Sequence, residues 1–189
     1  MKITETNLSG LLLLEKKVVH DERGYFSRLY GEDELLSKGV LSRAFHVNSS
    51  FSKYPGTLRG IHFQFPPHAE TKIVSCVAGS IWDVGVDLRP ESPTRFQWFG
   101  TELNPTNGMS LLIPEGFGHA FITLEPDTIV VYAISTGYSL ADESGLAFSE
   151  PMLGIKWPAA PKIISKKDSM WPPLEERIDE IDRRFLQKE

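Results

Sequence analysis

Apolar and polar positions alternate in short bursts along most of this chain, and turn signals close nearly every burst. The period-two pattern predicts strands over residues 11–20, 24–30, 43–52, 57–63, 70–78, 79–88, 95–103, 108–113, 118–124 and 128–137. Turns separate them at Asp21-Glu22-Arg23-Gly24, Pro55-Gly56, Pro66-Pro67, Ala78-Gly79-Ser80, Arg89-Pro90-Glu91-Ser92-Pro93 and Asn104-Pro105-Thr106-Asn107-Gly108. Many short strands at this spacing mean an all-β sandwich or barrel, because parallel α/β folds need a helix between strands. Two stretches change period. Glu32 to Lys38 reads as a short helix ended by Gly39. After Pro172-Pro173, the segment from Leu174 to Lys188 places Leu174, Ile178, Ile181, Phe185 and Leu186 at helical spacing. No repeat, low-complexity tract or linker interrupts residues 1–189, which read as one domain.

Composition narrows the picture a little. The 189 residues are 41% hydrophobic and 24% charged, enough for a real core. A net charge of -5 with no basic stripe argues against nucleic acid as a partner, though it leaves room for a local cationic pocket. The single cysteine, Cys76, lies in an apolar run and reads as a small buried hydrophobe. The first residues lack a signal-peptide h-region, and Leu11 to Leu14 is too short to span a membrane. A cytoplasmic protein without a membrane partner is the expectation.

The chemistry concentrates in Thr57-Leu58-Arg59-Gly60-Ile61-His62-Phe63-Gln64 and, eight residues on, Lys72. A titratable base between two cations suits proton abstraction beside a carbonyl on an anionic substrate. His62 would take the proton, Lys72 would stabilise charge on oxygen, and Arg59 would grip a phosphate. A strand histidine is also often a packed, hydrogen-bonded side chain, and a lone Arg or Lys a solvated one. Farther on, Pro114-Glu115-Gly116-Phe117-Gly118-His119 has the Pro-x-Gly-x-x-His form of the hairpin in cupin barrels, which aims its histidine inward. Metal-binding cupins add a His-x-His pair, and here that place reads His62-Phe63-Gln64. With five histidines in all and none of them paired this way, no metal is expected.

Taken in order, the motifs resemble the dTDP-4-dehydrorhamnose 3,5-epimerases and relatives acting on nucleotide-linked 4-keto-6-deoxy sugars. The resemblance runs from Asp21 to Pro173. It is carried by Asp21-Glu22-Arg23-Gly24-Tyr25-Phe26, Asn48-Ser49-Ser50, Leu58 to Gln64, Lys72, and Gly79-Ser80-Ile81-Trp82-Asp83-Val84 with Asp87-Leu88-Arg89. Pro114 to Phe121, Tyr132, Tyr138, Glu143-Ser144-Gly145, Ile155-Lys156-Trp157-Pro158 and Ser165-Lys166-Lys167-Asp168 complete it. It implies a cupin-like double-stranded jelly-roll barrel with short peripheral helices and a C-terminal helix. It also implies a homodimer, and epimerisation without a cofactor at C3, C5 or both, beside a C4 ketone. By the same resemblance His62 is the base, Asp168 orients it, Lys72 stabilises the enolate, and Tyr132 is the acid on the opposite face. Arg59 and Arg23 bind the diphosphate, Arg23 reaching in from the partner subunit. Phe26, Asn48, Gln64 and Tyr138 line the substrate cleft, and Asp83 with His119 forms a second inward pair near the sugar. Each has a plainer reading: Tyr132 as core, Asp168 as a loop acid, Asp83 and His119 as a satisfied buried pair.

Two positions depart from the family pattern. Arg28 stands where a Glu is usual, and His46 where a Gln is usual, both at the nucleotide end of the cleft. Thymine offers a donor at N3, whereas cytosine offers an acceptor there, for which Arg28 is the better partner. A CDP-linked sugar is therefore the alternative to a dTDP-linked one. A single-carbon epimerase, a metal-dependent cupin and a non-catalytic sugar-binding jelly roll are the competing classes.

Overall fold

The computed structural model describes residues 1–40 and 44–187 of the chain. Strands arrive in the order β1 (Lys2–Glu5), β2 (Leu12–Glu15), β3 (Val18–Asp21), β4 (Gly24–Ser27), β5 (His46–Ser52), β6 (Thr57–Gln64) and β7 (Lys72–Ala78). They continue with β8 (Ile81–Asp87), β9 (Trp98–Leu103), β10 (Met109–Ile113), β11 (Phe117–Thr123), β12 (Thr128–Ile134), β13 (Glu143–Gly145) and β14 (Ile163–Ile164). One six-stranded sheet has the order β1-β2-β10-β7-β12-β5. The second runs β13-β6-β11-β8-β9, with β14 added in parallel to β6. Strands 3 and 4 pair with each other as a separate hairpin.

The two sheets face each other across a shared core, the jelly-roll barrel expected of the sequence. Val74, Cys76, Leu111, Ile113 and Val130 of the first sheet pack against Ile81, Leu103, Phe117 and Phe121 of the second. This cluster fills one end of the barrel, and polar side chains occupy the other end. The outer face of the second sheet presents Phe63, Phe65, Val84 and Val86, which would otherwise meet water. Helix α2 (Ile178–Leu186) covers them with Ile178, Ile181 and Phe185, as its helical spacing predicts. The outer face of the first sheet is capped by Leu35 of α1 (Glu32–Leu36), packed with Leu14, Ile73 and Leu112. Glu32, Asp33 and Glu34 sit in the first turn of α1, where the helix dipole favours negative charge.

The expected strand over 11–20 divides into β2 and β3. Between them the buried Lys16 turns aside, its backbone N–H donating 3.0 Å to the Gly108 carbonyl. Burial lowers the Lys16 ammonium to about 8. The strand expected over 24–30 stops at Ser27. Pairing, not composition, makes β1, β13 and β14, which the alternation pattern does not reach: Lys2 to Glu5 has a single apolar residue, Ile3, and it lies against Glu15 to Leu12 of β2. Arg43, where one expected strand begins, and Lys188, where the expected tail helix ends, lie outside the described residues.

One glycine is indispensable to this arrangement. Gly60 has φ of 118°, and a Cβ there would fall 2.5 Å from both the Ala120 Cβ and the His119 carbonyl oxygen. The pairing of β6 with β11 shifts register at this place, between His119 and Phe121.

Candidate active site

A cavity of about 740 Å³ opens at the polar end of the barrel. Its walls come from both sheets, from the loop after β12, and from the segment around β14. His62 projects into it from β6. Its Nε2 lies 2.6 Å from Oδ1 of Asp168, which begins a short 3-10 turn (Asp168–Met170) more than a hundred residues later in the chain. The other carboxylate oxygen, Oδ2, accepts the Gly60 N–H at 3.3 Å. Burial pushes the Asp168 carboxyl up, but the His62 bond, the His62 charge, and the bonds involving Gly60 and Ser165 outweigh it and hold the group below its ordinary range. An ionised Asp168 accepts the proton on Nε2, which leaves Nδ1 of His62 free to act as a base.

Tyr132 enters from β12, in the opposite sheet. Its hydroxyl lies 2.9 Å from Ser50 Oγ on the adjacent β5. Burial pushes the phenol up to about 12, with the Ser50 bond pulling weakly the other way, so it stays protonated at neutral pH. Lys72 opens β7 at the cavity wall and pairs with Glu70 at 2.6 Å, both side chains largely buried. His119 lines the cavity from β11, directly across from His62 in the pairing of the two strands. Its Nε2 lies 2.7 Å from Oδ1 of Asp83, a fully buried group behind it whose Oδ2 has no partner. Arg59 is held at the wall by Ser52 Oγ (3.3 Å) and the Phe51 carbonyl (3.0 Å). His46 and Asn48 follow along β5 on the same face as Ser50. Tyr138, 67% exposed at the mouth, donates its hydroxyl to Glu143 Oε2 at 2.7 Å, and Glu143 also pairs with Lys167.

Ten of the fourteen residues singled out in the sequence thus line one cavity: His46, Asn48, Arg59, His62, Gln64, Lys72, His119, Tyr132, Tyr138 and Asp168. Gln64 lines the cavity and is also tied to the loops around it. Its amide donates to the carbonyls of His68 (3.0 Å) and Gly137 (3.1 Å), and its Oε1 accepts the Ser139 N–H at 2.6 Å. These bonds make it a brace for the loop carrying Tyr138. Asp83 stands behind His119 rather than in the cavity.

Arg23, Phe26 and Arg28 do not reach the cavity of their own chain. They belong to the β3–β4 hairpin and its exit, which no barrel strand pairs. Arg23 bonds Asp21 at 2.6 Å, Phe26 is 71% exposed, and Arg28 folds back toward Gly31. Ser50, Glu70, Glu143 and Lys167 join the site without having been singled out for it. Alternation along β5 from Asn48 marks Ser50, and the spacing of two from Lys72 marks Glu70. Among the described residues no three His, Cys, Asp or Glu side chains gather as a metal would need.

The model of the dTDP-4-dehydrorhamnose 3,5-epimerases matches residues 5–176, nearly the whole chain. The chain belongs to that family. It is accordingly an isomerase, an epimerase of nucleotide-linked deoxysugars. The dTDP-4-dehydrorhamnose 3,5-epimerase of Sinorhizobium fredii is 37% identical over 175 residues, covering 92% of this chain and 90% of that one. The Bacillus anthracis enzyme, solved with TDP and pyrophosphate bound, is 42% identical with a TM-score of 0.87, covering 91% of this chain and 98% of that one. The Legionella pneumophila enzyme, solved with dTDP-4-keto-L-rhamnose, superposes with a TM-score of 0.91 at 32% identity, over 98% and 99% of the two chains. No helix among the described residues is long and apolar enough to cross a membrane.

Proposed function

We propose that this epimerase inverts both C3 and C5 of a dTDP-linked 4-keto-6-deoxyhexose, without a cofactor, through an enolate at C4. The observation that carries the reading is the placement of a histidine–aspartate dyad and a protonated tyrosine on facing walls of one cavity, with a buried lysine on the strand beside the tyrosine's. Inversion needs a base on one face of the carbon and an acid on the other. Nδ1 of His62 removes the proton next to the ketone, and the C–H electron pair becomes the enolate double bond as charge moves to the C4 oxygen. Asp168 stabilises the imidazolium that results. The Lys72 ammonium, itself largely buried beside Glu70, stabilises the oxygen as a fixed charge. Tyr132 delivers its proton to the opposite face, and solvent restores both groups. The same pair serves the carbon on either side of C4 once the sugar turns.

Arg59 takes the diphosphate from within the chain, and Arg23 takes it from a second copy. The hairpin supports that arrangement. It stands apart from the barrel with Val19, Tyr25 and Phe26 exposed, while Val47 and Phe51 are exposed on β5, where the first sheet ends. A homodimer that seats one copy's hairpin on the other's open edge covers these groups and completes the phosphate site.

The base at the far end is thymine by family, and cytosine is the second reading. His46 favours it by lining the cavity in place of an amide, whereas Arg28 contributes only through the hairpin of a second copy. One experiment tests the whole reading: incubation with dTDP- and CDP-linked 4-keto-6-deoxyglucose in heavy water, following deuterium at C3 and C5. Exchange with inversion at both carbons of the dTDP sugar is expected. Exchange at a single carbon reassigns it to a mono-epimerase, a faster CDP sugar changes the nucleotide, and no exchange overturns the mechanism.

A further inference from the structure

Lys72 does not stand alone in the cavity wall. Glu70 precedes it by two residues, so an extended backbone sends both side chains the same way. Between them Thr71 is clamped to the end of β12: its N–H donates to Ser135 Oγ at 2.8 Å, and its carbonyl accepts the Ser135 N–H at 2.9 Å. The carboxylate is thus aimed by fixed backbone. Its Oε1 meets Lys72 Nζ at 2.6 Å, with side-chain exposures of 14% and 8%. No other acidic side chain among the described residues pairs with Lys72.

A lysine ammonium hangs on four rotatable bonds and carries three donors. Left to itself it samples many positions, and an oxyanion-stabilising group that must first find its place loses the advantage of being preorganised. We propose that Glu70 is a positioning residue for the reaction: by its close ion pair it pins the Lys72 ammonium at the cavity wall while leaving N–H donors for the oxygen of the enolate. This rests on the reading of Lys72 as the group facing that oxygen. Glu70 touches Lys72 and not the reacting carbons, so its removal displaces the catalytic charge without deleting it.

The test compares the wild type with Glu70→Ala, Glu70→Ser and Glu70→Gln, using a dTDP-linked 4-keto-6-deoxyglucose. Loss of a preorganised oxyanion donor costs on the order of 10²–10³ in kcat, and misplacing one should cost a smaller part of that. The alanine and serine variants should lose about tenfold or more in kcat, with KM moving less than about threefold and deuterium exchange falling in step. Glutamine keeps an acceptor oxygen of the same reach, and should restore kcat to within about threefold of the wild type. Binding of free dTDP, unchanged across the set, certifies the fold, and serine stands in should the alanine variant not fold. Alanine and serine variants that keep wild-type kcat overturn the proposal, as does a glutamine variant that falls as far as they do. A wild type that neither exchanges nor inverts fails the parent reading instead.

Discussion

At the scale of single residues, His62 and Asp168 act as one unit, joined at 2.6 Å. His62→Asn should reduce exchange at both carbons by about 10²–10⁴-fold with the fold intact. Asp168→Ala should follow it, and the double variant should be far less than multiplicatively worse, which single-turnover exchange will show. The pH dependence has a definite sign. Asp168 titrates lower in the folded chain than in the unfolded one. Its stabilising contribution is therefore present above the ordinary carboxylate range and lost as pH falls through the lowered value. Asp168→Asn should flatten that acid limb of the unfolding curve. Tyr132 runs the other way, raised to about 12 by burial. Its contribution is complete below about 10, the ordinary phenol value, and disappears as pH climbs through the folded one. Phenolate absorbance of the wild type and Tyr132→Phe should match in scale up to about pH 11, apart from the other tyrosines they share, and diverge only above it. The same substitution should slow inversion more than exchange, because His62 can still enolise the sugar. Equal loss of both would point to a structural ring.

Among the elements, legibility in the sequence followed the kind of force that builds each one. Strands 6 to 12 were readable because apolar residues recur along them toward the core and burial rewards that pattern locally, whereas β5 alternates with its polar residues inward and Val47 and Phe51 exposed. Helix α2 was readable for the same reason at helical spacing. By contrast, β1, β13 and β14 are two to four residues long and exist because a neighbour accepts their backbone groups. Nothing in their own side chains announces this. The site divides the same way. His62, Lys72 and His119 sit on strands whose alternation places them inward, so motif and pattern agreed, whereas Arg59, three residues before His62, shares its face only through the register shift at Gly60. Gln64 carried the same motif signal, yet three backbone groups of nearby loops claimed its amide, a competition invisible along the chain. Arg23 and Arg28 could be assigned to the nucleotide only across a subunit boundary. The hairpin that holds them is thus the element to test. Arg23→Ala should weaken dTDP binding by about tenfold, the worth of a charge-assisted hydrogen bond, while leaving the melting temperature of the barrel near that of the wild type, by calorimetry of both processes.

For the whole molecule, the consequence of a shared site is arithmetic. If each cavity takes its base from one copy and Arg23 from the other, a mixture of Arg23→Ala and His62→Asn chains, assayed at substrate far below KM where the weakened Arg23→Ala sites add little, regains fully equipped sites that neither parent has. Random pairing gives half the dimers as hybrids with one sound site of two, so about a quarter of wild-type activity should return. Two independent barrels, each complete alone, would show no recovery on mixing. The enzyme should also keep its activity after exhaustive chelation. His62 and His119 are each committed to an aspartate, and no third ligand converges with them among the described residues. Inactivation that a divalent ion reverses would move the protein to the metal-dependent cupins. The order in which the chain supplies its parts carries a last implication. The two sheets supply most of the cavity wall by β13, but its last piece and the carboxylate that orients His62 come later, on a segment moored by the two residues of β14. The orientation of the base is therefore a long-range property of the fold, set by a carboxylate 106 positions away along the chain.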